Sequence, residues 1–235
     1  MPQMTASKKP PKNKSQTRQV FERLRQDIIA GKLLPDAKLN IAALAEELDV
    51  SAGAVREGLA MLESESLVVS EPARGYRVSP VSALELGELV RARIEIEKLC
   101  IAEAVRHGGL EWEGRIVAAF HRLSRLSQRD AEQPAYVNQE WADSHAEFHR
   151  ALISGCPNRW LRRMQETLYQ QSERYRQLSV PFTALHTRDV NGEHKDMMDA
   201  ALNHDVCRAQ ELMAAHVNAT MQLLLESPQL ALHSS

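Results

Sequence analysis

Two histidines, His145 and His149, stand four residues apart in the run SHAEFHR. On a helix that spacing projects both imidazoles from one face, where they can grip a single metal ion. Two histidines alone are as readily a solvated or core-edge pair. His194 and His216 lie on two later helical stretches, so a bundle would allow three helices to complete one site. The segment HAEFH is not the HExxH of zinc peptidases, because Ala146 occupies the place of the general base. Asp143 points to another side of the same helix and is not counted as a ligand.

A second group of residues suits nucleic acid. Ser51 can open a helix on which Arg56 faces outward near the start, the position from which a side chain reaches base edges or a phosphate in a major groove. Arg74 and Arg77 flank Gly75 in a turn between two short β-branched runs, where glycine permits close approach to a sugar-phosphate chain and arginine can enter a minor groove. Positive charge also gathers at the start of the chain, where Lys8, Lys9, Lys12, Lys14, Arg18, Arg23 and Arg25 face only Glu22 and Asp27. Arg18 is the member of that group placed with the DNA-binding residues. Any one arginine is by itself an ordinary solvated charge; their places on one small fold give them weight.

The elements that must carry these groups follow from periodicity. Val20, Phe21, Leu24, Ile28 and Ile29 line one face of a helix over Arg18–Ala30, ended by Gly31. Asn40 caps a second helix with Ile41, Leu44, Ala45 and Leu48 inward, and Ser51 caps a third with Val55, Leu59 and Leu62 inward. Leu67-Val68-Val69 and Tyr76-Arg77-Val78 form a hairpin around the turn at residues 71–75. Three helices and a hairpin make a winged helix-turn-helix. After Ser79-Pro80-Val81-Ser82 the pattern predicts helices only, near 83–107, 113–129, 135–154, 158–178, 187–202 and 205–225, broken at Gly108-Gly109, Pro134, Gly155-Cys156-Pro157, Pro181 and Asn203-His204. The fold class is therefore mainly α: a winged helix-turn-helix with a small β-hairpin, then an all-α bundle. The expected boundaries are a disordered basic tail over 1–15, the DNA-binding domain over 16–79, a linker over 80–82, the effector-binding domain over 83–226 and a tail over 227–235.

The whole chain is compatible with this. Its 235 residues suit a small domain joined to a medium one, and 43% hydrophobic with 26% charged residues is enough for a core in each. Cys100, Cys156 and Cys207 are an odd number without CxxC spacing, which argues against a disulfide framework or thiolate zinc site and suits a reducing cytoplasm. No secretory signal and no bilayer-spanning run is read, so no membrane partner is expected.

The run from Ser51 to Val78, SAGAVREGLAMLESESLVVSEPARGYRV, resembles the GntR superfamily signature: a Ser-opened recognition helix, Val-Arg-Glu, a Leu-rich stretch and an Arg-Gly hairpin. Val20 to Leu39 resembles the same family's opening. Two positions depart from the pattern. Ala52-Gly53 stand where the family commonly has a base-reading arginine after the serine, and Ser66 stands where it usually has Gly, which implies a strained backbone if the position requires φ > 0. Residues 83–226 resemble the FCD ligand-binding domain of the FadR-like branch, whose members often show Asp-x-x-Phe-His on one helix and single histidines on two later ones. The resemblance implies that His149, His194 and His216 hold a divalent metal, with His145 in place of the usual Asp. Imidazole in place of carboxylate favours borderline ions such as Zn²⁺ or Ni²⁺. It further implies that Arg91, in an Arg-x-x-Leu-Glu-like pattern, clamps an effector carboxylate, with Arg174 as a second candidate; an exposed pair with Glu95 is the other reading of Arg91. The stretch from His145 to Ser179 also resembles a subgroup that responds to small dicarboxylates such as glutarate.

The function expected is that of a DNA-binding regulator, a repressor by default. A homodimer would bind a pseudo-palindromic double-stranded operator, and a small organic acid at the metal would control its affinity. No catalytic residue is assigned. A metal-dependent hydrolase built on the histidine cluster and a structural helical scaffold are the competing readings.

Overall fold

A computed structural model of the chain describes residues 12–72, 74–129, 131–132, 138–178 and 188–226. Most of the expected tails, Ala73 in the turn, the breaks at Pro134 and Pro181, and Ser179 lie outside the described residues. The chain divides into two compact units, Met1–Pro80 and Val81–Ser235.

In the first unit α1 (Lys12–Ile29) begins six residues before Arg18, since nothing between Lys12 and Arg18 breaks a helix. Val20, Leu24 and Ile28, one helical turn apart in succession, are buried against Val55, Leu59 and Leu62 of α3 (Ala52–Ser64). The two helices pack closely: a Cβ on Gly58 would sit 2.8 Å from Cγ1 of Val20, which makes glycine necessary at that contact. α2 (Ile41–Glu47) is capped by the Asn40 side chain, which accepts from the amides of Ala42 and Ala43, and Ser51 caps α3 by accepting from Ala54. The expected hairpin, β2 (Val68–Glu71) and β3 (Gly75–Val78), gains a third strand, β1 (Lys38–Leu39). The antiparallel order is β1-β3-β2, with Lys38 opposite Arg77 and Val68 opposite Val78. A two-residue strand is too short to show alternation, so periodicity alone misses it.

The second unit is helical throughout its described elements. α4 (Ala83–His107), capped by Ser82, runs along α7 (Arg159–Leu178) and α9 (Val206–Leu225), while α5 (Leu110–Ser124) packs on α6 (Gln139–Ile153) and α8 (Val190–Leu202). Trp112, Phe148, Leu152, Met197 and Met213 fill the space between them. α5 starts three residues earlier than periodicity predicts, at the Gly109 cap, and stops at Ser124 instead of continuing to 129; the Ser127 hydroxyl accepts from the amide of Arg129 and so competes with the helix there. α6 starts at Gln139 because Asn138 caps it through the amides of Glu140 and Trp141. Asp189 and Asp205 cap α8 and α9 in the same way.

Candidate metal centre and nucleic-acid interface

The amphipathic patterns of α6, α8 and α9 turn His145, His149, His194 and His216 into one interior point. One ring nitrogen from each lies within 4.8 Å of the others, and all four side chains are buried. Ring centroids are 4.6 Å apart for His145 and His149, 4.9 Å for His149 and His216, and 4.8 Å for His194 and His216. Trp141 stacks on His145 at 4.9 Å and closes that side.

Burial, and then the neighbouring imidazoles, hold His145 and His149 well below the usual histidine range. Burial and His216 take His194 down to about 2, and burial lowers His216 despite its contact with Glu193. All four are therefore neutral, with lone pairs available. Nδ1 of His216 lies 2.8 Å from Oε2 of Glu193, which makes it the donor and turns the Nε2 lone pair inward. Glu193 is itself held by Arg188, which also donates to the His216 carbonyl oxygen at 3.0 Å. Burial pushes the Glu193 carboxyl up, but the hydrogen bonds from His216 and Arg188 outweigh it and take it to about 2. Both nitrogens of His149 and His194, and Nδ1 of His145, have no hydrogen-bond partner among the described residues. Buried imidazole nitrogens without partners are costly unless something ligates them, so the donor set fits a borderline divalent ion.

Beside the histidines lies a polar band from α4 and α7. Arg93, on α4, donates from Nε to Oε1 of Glu97 at 3.1 Å and from Nη1 to Oγ of Ser172 at 2.7 Å, and its guanidinium covers the Tyr169 ring at 4.7 Å. Arg176 is paired with Glu173, and its charge, like that of Arg93, acts on the histidines. This corrects the expectation for the first sensor helix: Arg91 is exposed, and Arg93 is the inward arginine. The expected partner of Arg91, Glu95, pairs with Lys98 instead. Arg174 is buried as well, against Tyr175 and close to Glu85. Arg93, Arg176, Glu193 and Arg188 were not singled out by spacing. The first had a signal: Leu86, Val90, Arg93, Glu97, Cys100, Ile101 and Ala104 form one buried stripe on α4, and Arg91 is off it.

On the first unit Arg56 is exposed on α3, as are Ala52 and Gly53. Ser51 is occupied as the cap of that helix, although its hydroxyl hydrogen remains to be donated. Arg18 is exposed and paired with Glu22 one turn on. Arg74 is exposed beside Gly75, whose φ of 89° is a conformation suited to glycine. Arg77 differs from expectation: it is half-buried, with Nε donating to Glu71 at 3.1 Å and Nη1 to the carbonyl oxygen of Asp36 at 3.0 Å. It braces the sheet, which leaves the turn itself to Arg74. Among the described residues no helix is long and apolar enough to cross a membrane.

Comparison with known proteins agrees with both units. Residues 16–78 match the family described as bacterial regulatory proteins, gntR family, and residues 88–219 match the FCD domain. The chain is 37% identical over 207 residues to the HTH-type transcriptional regulator BphR of Paraburkholderia xenovorans (strain LB400), covering 87% of this chain and 83% of that one. It is 33% identical over 207 residues to the HTH-type transcriptional repressor GlaR of Escherichia coli (strain K12), covering 87% of this chain and 93% of that one. The fold is similar to the crystal structure of a GntR transcriptional regulator from Rhodococcus sp. RHA1, with a TM-score of 0.71 at 23% identity over 89% of this chain and 98% of that one.

Proposed function

The chain belongs to the GntR family of bacterial transcription regulators, with an FCD domain following its helix-turn-helix, and on that premise we propose that a small carboxylate bound at the histidine cluster sets its affinity for an operator. The observation that supports this reading is the convergence of four buried neutral imidazoles, with ligand nitrogens within 4.8 Å, beside Arg93 and Arg176. His145, His149, His194 and His216 would hold a divalent ion, Zn²⁺ or Ni²⁺ by the chemistry of an all-imidazole set. When bound, that ion supplies a positive charge to which an acid's carboxylate oxygen can bind.

The surrounding residues do the rest. Glu193 fixes the His216 ring, Trp141 covers His145, and the band on α4 and α7 lines the space next to the cluster. Glu173 is engaged by Arg176, Glu193 by Arg188 and His216, and Glu97 through one oxygen by Arg93, which favours binding over hydrolysis. On the first unit, Ser51 and Arg56 read the major groove, with Arg18 and Arg74 on phosphates and Gly75 allowing close approach. The protein acts in the cytoplasm as a homodimeric repressor, each protomer taking one operator half-site, and ligand binding lowers operator affinity.

The test is a titration of operator DNA with zinc-loaded protein in the presence and absence of organic acids, joined to elemental analysis of wild type and the His149→Ala/His194→Ala variant. Selective DNA binding weakened by an acid, with metal lost in the variant, is the expected result. Metal content unchanged in the variant, or affinity indifferent to every acid, removes the proposed coupling.

A further inference from the structure

The polar band beside the histidines is unevenly satisfied. Oε1 of Glu97 receives two N–H groups, one from Nε of Arg93 and one from Nε2 of Gln165 at 2.9 Å. Oε2 of the same carboxylate, Oε1 of Gln165 and Oη of Tyr169 have no hydrogen-bond partner among the described residues. These residues are almost fully enclosed: Glu97 is 0% exposed, Gln165 2% and Tyr169 7%. Gln165 and Tyr169 stand on successive turns of α7 and face the Arg93–Glu97 pair of α4, and the Tyr169 ring lies 6.3 Å from that of His149. Buried polar atoms in native proteins are nearly always paired, so three unpaired ones in one band beside a ligand centre mark the place of a polar group that comes from elsewhere.

The balance of donors and acceptors says which group. Two of the three atoms, the carboxylate and amide oxygens, can only accept. The Tyr169 hydroxyl can both donate and accept. We propose that the effector carries, besides the carboxylate directed to the histidine cluster, either a hydroxyl that donates to Glu97 or Gln165 and accepts from Tyr169, or an ammonium that donates to Glu97, to Gln165 and to the Tyr169 oxygen. This rests on the organic-acid reading above and narrows it to hydroxy and amino acids. A second carboxylate at this end would place further acceptors against Glu97, and an apolar end would leave both acceptors unpaired. Either loses binding, in the way a site built for a hydroxyl rejects an analogue that lacks one.

The experiment is calorimetric titration of the full-length zinc-loaded protein with four-carbon and five-carbon acids, each as the unsubstituted acid, the terminal hydroxy acid, the terminal amino acid and the dicarboxylate. A hydroxy or amino acid is expected to bind about tenfold or more tightly than the unsubstituted acid of its length. In Gln165→Met and Tyr169→Phe, which change one polar group each and are first checked for an unaltered unfolding transition, the ratio of the two affinities falls towards unity. Acids that bind with no preference, a dicarboxylate that binds tightest, or a preference that survives both substitutions overturns this inference and leaves the organic-acid reading standing. Failure of every acid in the series to bind overturns both.

Discussion

Oε2 of Glu193 and Nδ1 of His216 are 2.8 Å apart, and the same carboxylate is held by Arg188. A carboxylate on the far nitrogen of a ligating imidazole fixes its tautomer and raises its basicity. Glu193→Gln keeps an acceptor but removes the charge, so metal affinity measured by competition with a chromophoric chelator should fall about tenfold, and Glu193→Ala towards 100-fold. Affinity equal to wild type in both variants would show that Glu193 does not orient the ligand. His145 and His149 were legible in the sequence as a pair, because four-residue spacing on one helix fixes a shared face, whereas His194 and His216 joined them only through the bundle and the family resemblance. The Glu193–His216 pair was not legible: its two residues sit on different helices, and only packing brings them together.

Arg93 and Arg91 offer a sharper comparison. The pattern Arg-x-x-Ile-Glu fits the sequence in two registers, Arg91 to Glu95 and Arg93 to Glu97, and spacing gives no reason to prefer the second. Burial does: Glu97 is fully enclosed and needs its arginine, while Arg91 lies in solvent. Arg93→Met leaves a buried carboxylate without its cation and should cost about 3–5 kcal/mol in urea unfolding, against no more than about 0.5 kcal/mol for Arg91→Ala. Equal effects from the two substitutions would contradict the assignment.

Ser66 has φ 58°, the left-handed conformation that its place after α3 requires. Asp36 and Asp49 share that conformation with less penalty, since short Asx side chains tolerate it better than serine. Ser66→Gly is expected to raise stability by about 0.5–1 kcal/mol, relief of strain being partly offset by the freer unfolded chain. A lower midpoint in thermal or urea unfolding would argue against strain at this site. The departure from the family's glycine was visible in the sequence; that the backbone had kept the glycine's conformation was not.

His204, in the turn between α8 and α9, has Nδ1 2.9 Å from the Val105 carbonyl oxygen and Nε2 3.2 Å from Glu113. Both neighbours accept, so the doubly protonated ring is favoured, and its pKa is raised above 6.5 by the Val105 carbonyl and then by Glu113. Because the folded value is raised, the stabilisation is complete below the unfolded pKa near 6.5 and is lost as pH rises through the folded one. Proton NMR titration should place the His204 midpoint above 6.5, and Glu113→Gln should move it down part of the way, the carbonyl contact remaining. A midpoint at or below 6.5 in wild type would show that these contacts do not hold the proton.

The arginines assigned to DNA in the proposed function divide by their partners. Arg56 is exposed on α3, a helix whose inward residues and Ser51 cap were plain from periodicity, and its removal should not disturb the head. Arg56→Ala is therefore expected to weaken operator binding by about 1–3 kcal/mol with an unchanged unfolding midpoint, the loss being much smaller on a scrambled duplex. Arg74→Ala should weaken both duplexes alike and reduce the salt dependence by about one phosphate contact. Arg77 was placed with them by sequence because alternation cannot show that Asp36, forty-one residues away, and Glu71 occupy its guanidinium. Its replacement by alanine should lower the unfolding midpoint of the head, and any loss of DNA affinity should recover at temperatures where the variant is fully folded. An Arg77→Ala variant with wild-type stability and a lasting defect on operator DNA would return that arginine to the interface.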